Sequence, residues 1–190
     1  MKDFDRNIYG EDISQKMKIV DSFVNDFIDW EVRGAGLYIF SAEKGTGKTF
    51  LASCICNELM KKFPLGTKFV QEGRILDMIA NYKKQNDYSK DNPVDIFKRC
   101  RVLVIDDLGQ SRTGVDWRED EIFGIVNERY QNKKVTIITS NYPLEQLPYD
   151  DRVADRINAM CTQIMLPPVK VRGQKAEQTR LDFLKEKGIL

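Results

Sequence analysis

The sequence predicts an α/β fold in which a five-stranded parallel sheet carries helices on both faces. Three observations lead there. Short apolar runs alternate with segments of helical period. The run GLYIFS passes straight into a glycine-rich loop and then into a helix-patterned segment. A further run, RVLVID, is strongly apolar and ends in acid, as a strand buried on both faces does when it emerges at a ligand site.

The elements follow in chain order. Between Asp12 and Trp30, Ile13, Met17, Val20, Val24 and Phe27 recur at helical spacing, and Gly34 and Gly36 end that region. GLYIFS is the first strand. Thr49 to Phe63 is a helix with Leu51, Ile55, Leu59 and Phe63 on one face. Pro64 and Gly66 break the chain, Lys68 to Gln71 is the second strand, and Arg74 to Tyr82 is helical. KKQNDYSKDNP reads as a polar loop before the RVLVID strand. Asp120 to Tyr130 is an amphipathic helix with Ile122, Phe123, Val126 and Tyr130 inward. VTIITSN is the fourth strand, Arg152 to Met160 a short helix and TQIML the last strand. Ala176 to Lys187 is a charged helix stopped by Gly188. The 190 residues suit one domain: an N-terminal linker and helix over 1–35, a core over 36–172 and a C-terminal helix over 173–190.

Composition excludes several chemistries. There is no histidine, which removes imidazole acid–base catalysis and every zinc site that needs imidazole. The formal net charge of +1 excludes a uniformly basic nucleic-acid coat but not a local patch. Cys54, Cys56, Cys100 and Cys161 show no C-x-x-C pairing and read as buried reduced thiols of a cytoplasmic protein. No apolar run reaches the roughly 20 residues of a membrane span, so no membrane role is expected.

The chemistry concentrates where strands end. SAEKGTGKTF, Ser41 to Phe50, carries the last three places of the phosphate-binding pattern G-x-x-x-x-G-K-[ST] as Gly47, Lys48 and Thr49. The first place holds Ala42, which is tolerable at negative φ, and an extended conformation at the strand end is expected there. Gly45 and Gly47 let the backbone turn its N–H groups toward an anion, and the following helix N-terminus adds partial positive charge. The loop from Lys44 through Gly45, Thr46, Gly47, Lys48 and Thr49 to Phe50 is therefore the expected cradle for ATP or ADP. Lys48 can reach the β- and γ-phosphates, and Thr49 can give a hydroxyl to Mg²⁺. In VLVIDDLG, Asp106 fits an acid holding the Mg²⁺ water shell, and Asp107 can orient the attacking water. Asn141, after TIITS, is either ordinary turn chemistry or a hydrogen-bonding contact to the γ-phosphate or water. Arg152 and Arg156, at i and i+4, are either a solvated helix face or an arginine finger for a neighbour's site.

Taken in order, FSAEKGTGKTFLA, VLVIDDLG, WREDEIFGIVNERYQNKKVTIITSNYPLEQL and ADRI resemble the AAA+ ATPases, and within them the DnaC/DnaI-type replicative helicase loaders of the IstB-like clade. The resemblance runs from Phe4 to about Arg172. It implies a P-loop NTPase of AAA+ type with no separate C-terminal lid domain. It also implies Lys48 and Thr49 as the Walker A pair, Asp106 and Asp107 as the Walker B pair, and Asn141 as sensor 1. Arg156 falls where the arginine finger stands, and Arg172, in VKVRG, near a second nucleotide-sensing position. Implied partners are a hexameric replicative helicase of the DnaB type, single-stranded DNA and a second copy of the chain meeting at the ATP site. The separate helicase-binding domain of the loaders is expected to be absent from this chain. For single-stranded DNA, Tyr82, Lys83, Lys84, Tyr88 and Lys90 combine phosphate contacts with base stacking, against the plainer reading of a solvated loop. Lys98, Arg99 and Arg101 form a second basic cluster that can simply flank the buried strand.

The expected function is ATP binding and slow hydrolysis in the service of helicase loading. Transposition helpers of the IstB type share the architecture but usually read D-E-L-G where this chain has Asp106-Asp107. A small P-loop nucleotide kinase suits the size, but no Arg-rich lid is evident.

Overall fold

A computed structural model of the chain describes residues 4–64, 66–85, 92, 94–111 and 116–189. The elements are α1 (Ser14–Asn25), α2 (Phe27–Arg33), β1 (Gly36–Phe40), α3 (Lys48–Lys62), β2 (Thr67–Gln71), α4 (Glu72–Gln85), α5 (Asp95–Arg99), β3 (Val102–Leu108), α6 (Asp116–Gln131), β4 (Val135–Ser140), α7 (Asp151–Met160), β5 (Cys161–Met165) and α8 (Arg172–Glu186). The five strands form one sheet in the order β2-β3-β4-β1-β5, and every neighbouring pair is parallel. This is the sheet the sequence predicts.

Alternation along the strands builds two cores. Val102 and Val104 of β3, Leu37 and Ile39 of β1 and Ile137 of β4 pack with α1, α2 and α3. Leu103, Ile105, Tyr38 and Ile138 face the other way, onto α4, α6 and α7. Each fully buried Leu or Ile contributes about 1.5–3 kcal/mol relative to exposure, so the two faces together hold the sheet. Gly36 begins β1 because the strand passes β4 too closely for a side chain: a Cβ there would stand 1.9 Å from the Thr136 carbonyl oxygen.

Several elements differ from the sequence reading. The apolar stretch over 12–30 folds as two helices, broken at Asp26 (φ −107°, ψ 30°), which brings the Trp30 ring edge-on to Phe23 at 5.2 Å. α4 extends to Gln85, into the expected polar loop. The short helix α5 falls where only polar loop and strand flank were expected. α8 begins at Arg172, a turn earlier than expected.

On α6, Tyr130 is 39% exposed rather than inward, while Ile125 and Arg129 are buried. Arg129 takes an inward place because acceptors surround it. Its guanidinium donates to the carbonyls of Phe97 (2.7 Å), Cys100 (3.0 Å) and Val135 (2.6 Å) and to Thr136 Oγ1 (2.9 Å). The second basic cluster is engaged locally: Lys98 and Arg99 pair with Asp95, and Arg101 grips Glu31 with two nitrogens. Cys54, Cys56 and Cys161 are buried thiols, and burial pushes the Cys56 and Cys161 thiols up to about 12. No described helix is long and apolar enough to cross a membrane.

A candidate nucleotide-binding site at the carboxyl ends of the strands

The loop after β1 turns over two glycines, Gly45 (φ 77°) and Gly47 (φ 92°), in backbone regions that a Cβ disfavours. Gly47 also caps α3 and, having no side chain, makes no cap hydrogen bond of its own to the first N–H groups of the helix, donors of the kind that take an anion. Ala42 lies past the end of β1, in a bend. Among the described non-glycine residues only Asp107 and Lys133 have positive φ, so Ala42 keeps to the side of the map that its Cβ allows.

Lys48 is 5% exposed. Its ammonium donates to the carbonyls of Ser41 (3.3 Å) and Glu43 (2.9 Å) and to Thr46 Oγ1 (3.4 Å), all neutral oxygens. Burial pulls its pKa below the usual lysine value, partly offset by Asp107 and Asp106. A buried cation beside uncapped helix N–H groups is a site suited to an anion.

β3 supplies the acids. The register between β3 and β4 shifts between Ile105 and Leu108, and Asp107 sits in that irregularity at φ 59°. Such a kink re-aims a side chain at a strand end. Asp107 lines the cavity, whereas Asp106 is 1% exposed. Thr139 on β4 ties the two together: its hydroxyl donates to Asp106 Oδ1 at 2.6 Å and accepts the Asp107 N–H at 2.9 Å. The Asp107 carboxyl is held above the usual carboxylate range by burial and then by neighbouring Asp106, against Lys48 and Arg172. The Thr49 hydroxyl and these carboxylates are hard oxygen donors of the kind Mg²⁺ takes, so the residues present fit that ion. Replacing Thr139 with Val keeps the volume but removes the hydroxyl. ATP turnover is expected to fall about 10- to 100-fold with nucleotide affinity retained, checked by turnover and nucleotide-titration assays on the same preparation.

Lys48, Thr49 and Asp107 border one cavity of about 920 Å³, within the range of small-molecule sites, with Asp106 and Thr139 buried behind it. The loop from Lys44 to Phe50 forms its floor, and Asp107, Asn141 and Arg172 its polar side. Arg172 opens α8, and its own N–H and that of Val171 both donate to the Gly45 carbonyl, at 3.1 and 2.9 Å. That places the start of α8 on the glycine-rich loop after β1. Asn141 follows Ser140, whose hydroxyl donates to the Leu108 carbonyl at 2.7 Å and locks the ends of β3 and β4 together.

A model of the IstB-like ATP binding protein family matches residues 11–165. The chain belongs to the IstB-like ATP-binding family. Among its relatives, the uncharacterized protein YqaM of Bacillus subtilis is 31% identical over 143 residues, 71% of this chain and 42% of YqaM. The replicative helicase loader DnaC of Escherichia coli K12 is 30% identical over 125 residues, 63% of this chain and 49% of DnaC. The chain thus spans less than half the length of either relative. The crystal structure of DnaI superposes with a TM-score of 0.68 at 25% identity, covering 90% of this chain and 89% of that one.

Other residues of this IstB-like chain fall away from the cavity. Arg156 is absent from its lining. The Arg156 Nε donates to Asn127 at 3.1 Å, and its guanidinium lies 5.2 Å from the Tyr130 ring centre. Arg152 pairs with Asp150 at 3.0 Å and lies over Phe123. Tyr82, Lys83 and Lys84 stand together on the last turn of α4, and Tyr88 and Lys90 lie outside the described residues. Lys83 is engaged: its ammonium pairs with Glu121 at 2.8 Å and sits 5.0 Å over Trp117.

Sequence reasoning missed part of the wall. Phe4, Ile8 and Tyr9 of the N-terminal segment and Thr179, Arg180 and Phe183 of α8 line the same cavity. The Tyr9 hydroxyl donates to the Thr46 carbonyl at 2.7 Å, and the Phe4 ring stacks on Phe50 at 6.1 Å. The only signal was three aromatic or aliphatic residues in an otherwise polar N-terminus.

Proposed function

We propose that the chain binds ATP and Mg²⁺, hydrolyses ATP slowly, and assists loading of a hexameric replicative helicase onto DNA. The observation that carries the nucleotide reading is the seating of buried Lys48, uncapped α3, Asp107 and Arg172 around one cavity. Similarity to the loaders DnaC and DnaI supports the rest.

In this reading the loop N–H groups from Lys44 to Thr49 hold the phosphates, and Lys48 leaves its carbonyl partners for the β- and γ-phosphate oxygens. The apolar wall of Phe4, Ile8, Phe50 and Phe183 excludes water around the base. Thr49, and Asp106 through water, would hold Mg²⁺, which when bound would supply positive charge against the phosphate oxygens. Asp107 orients the attacking water, Asn141 contacts that water or the γ-phosphate, and Arg172 senses the nucleotide from the start of α8. Arg156, turned away from its own cavity, serves a neighbouring copy, so turnover depends on self-association. Turnover is slow because no finger is supplied in cis and because Asp107 is one methylene shorter than a glutamate. Tyr82, Lys83 and Lys84, with Tyr88 and Lys90, contact single-stranded DNA. For Lys83 this requires exchanging Glu121 for a phosphate.

The test is co-migration with a purified hexameric replicative helicase on size exclusion, with and without ATP. Stable ATP-dependent association supports loading. Association with a transposase and not a helicase favours the IstB-type transposition-helper reading, which the family match keeps in play. A new phosphorylated product on adding nucleoside monophosphates would replace both with a kinase.

A further inference from the structure

We infer that Glu72 is a positioning residue that holds the Asp107 loop in place by anchoring it to the approach of α7. The inference rests on the reading of Asp107 as the residue that orients the attacking water. Glu72 opens α4 directly after β2 and is 1% exposed. A carboxylate buried so completely needs partners on both oxygens. Oε2 accepts the backbone N–H of Ser111 at 2.9 Å, and Oε1 accepts the hydroxyl of Tyr149. Neither of these two described partners is a cation, so together they form a geometric brace.

The brace joins three parts of the chain. Glu72 belongs to the base of α4, Ser111 to the loop that leaves β3 just beyond Asp107 and Leu108, and Tyr149 to the segment entering α7. A second cavity, of about 300 Å³, lies at this junction and is lined by Gln71, Glu72, Gly73, Asp107, Gln110 and Ser111. Asp107 and Gln110 line both cavities, so they form the partition between Glu72 and the nucleotide side. Asp107 stands at φ 59°, a conformation that persists only where its surroundings hold it. One holder is Thr139, on its N–H. The other is Glu72, which fixes the loop at Ser111 just beyond the turn closed by Gln110 N–H on the Asp107 carbonyl at 3.2 Å. Tyr149 is a dependable donor in this brace: burial, and then Glu72, push its hydroxyl far above the ordinary tyrosine range.

Two substitutions isolate the brace. Tyr149→Phe removes one hydroxyl and keeps the ring. Glu72→Gln keeps the shape but turns one of two acceptors into a donor, so only one partner is served. Both are measured on the full chain beside wild type and Asp107→Asn. The readouts are single-turnover ATP hydrolysis, affinity for a fluorescent ADP analogue and thermal midpoint. Turnover is expected to drop by about tenfold or more in both, with the nucleotide Kd within about twofold of wild type. Tyr149→Phe keeps the test decisive where Glu72→Gln loses stability. Wild-type turnover in both variants overturns the inference. So does a loss of affinity as large as the loss of turnover, since the carboxylate would then support the whole site rather than Asp107. Wild-type turnover in Asp107→Asn sinks the reading of Asp107, and the inference with it.

Discussion

Arg156→Ala is expected to bind ATP as wild type does and to lose turnover by roughly a thousandfold or more, the usual scale for a missing arginine finger. The ground is where Arg156 points. It leaves its own cavity untouched, while Asn127 and the Tyr130 face hold it on the α6–α7 surface. An arginine presented this way can act on a second copy without a rearrangement of its own helix. Lys48→Ala has a different signature. It removes the buried cation of the loop after β1, so ATP binding and any ATP-driven assembly are expected to disappear together. Size measurements with and without ATP, paired with turnover on the same samples, separate the two. Arg156→Ala that hydrolyses normally would remove the finger assignment. Lys48→Ala that still assembles with ATP would detach assembly from this cavity.

Arg129→Met is expected to lower the unfolding free energy by about 3–5 kcal/mol, read from urea titration. A native domain holds about 5–15 kcal/mol in total, so the folded population at moderate temperature should visibly decline. Met fills much of the volume but offers no proton. The Phe97, Cys100 and Val135 carbonyls and the Thr136 hydroxyl would then lose their shared donor inside the protein. Arg129 has no carboxylate partner among its described contacts, and burial draws its pKa below the usual arginine value. Its role is to close the end of α5 onto the start of β4. Arg129→Lys should recover only part of the loss, because one ammonium cannot span acceptors spread across a guanidinium fork. An unchanged urea midpoint in Arg129→Met would mean that water satisfies those carbonyls.

What the sequence made legible was local. The phosphate loop, the acidic end of β3, Asn141 at the end of β4 and the parallel sheet all follow from short stretches whose chemistry is contiguous. The missing pieces depend on contacts between distant segments. Nothing in the sequence marks Arg129 for burial; acceptors from the end of α5 and the start of β4 do so only in the fold. Tyr130 takes the solvent side that periodicity had given it inside, since Arg129 and Ile125 occupy the inward face. Glu72 and Tyr149 carry no shared pattern, and only folding brings them together. The cavity wall from Phe4 to Tyr9 and from Thr179 to Phe183 lies outside residues 11–165 that the family model matches, and no motif marks it.

That wall has a mechanical consequence. The earliest described segment and the last helix meet across a single cavity, with Phe4 on one bank and Phe183 on the other. A ligand seated between them would act as a removable clasp on a ring that runs through nearly the whole polypeptide. Because such a ligand binds the folded chain and not the unfolded one, its binding free energy stabilises both banks together, and the gain grows with the logarithm of its free concentration. Nucleotide would thus be felt at both ends of the chain at once, and loosening either end would loosen the hold on the other.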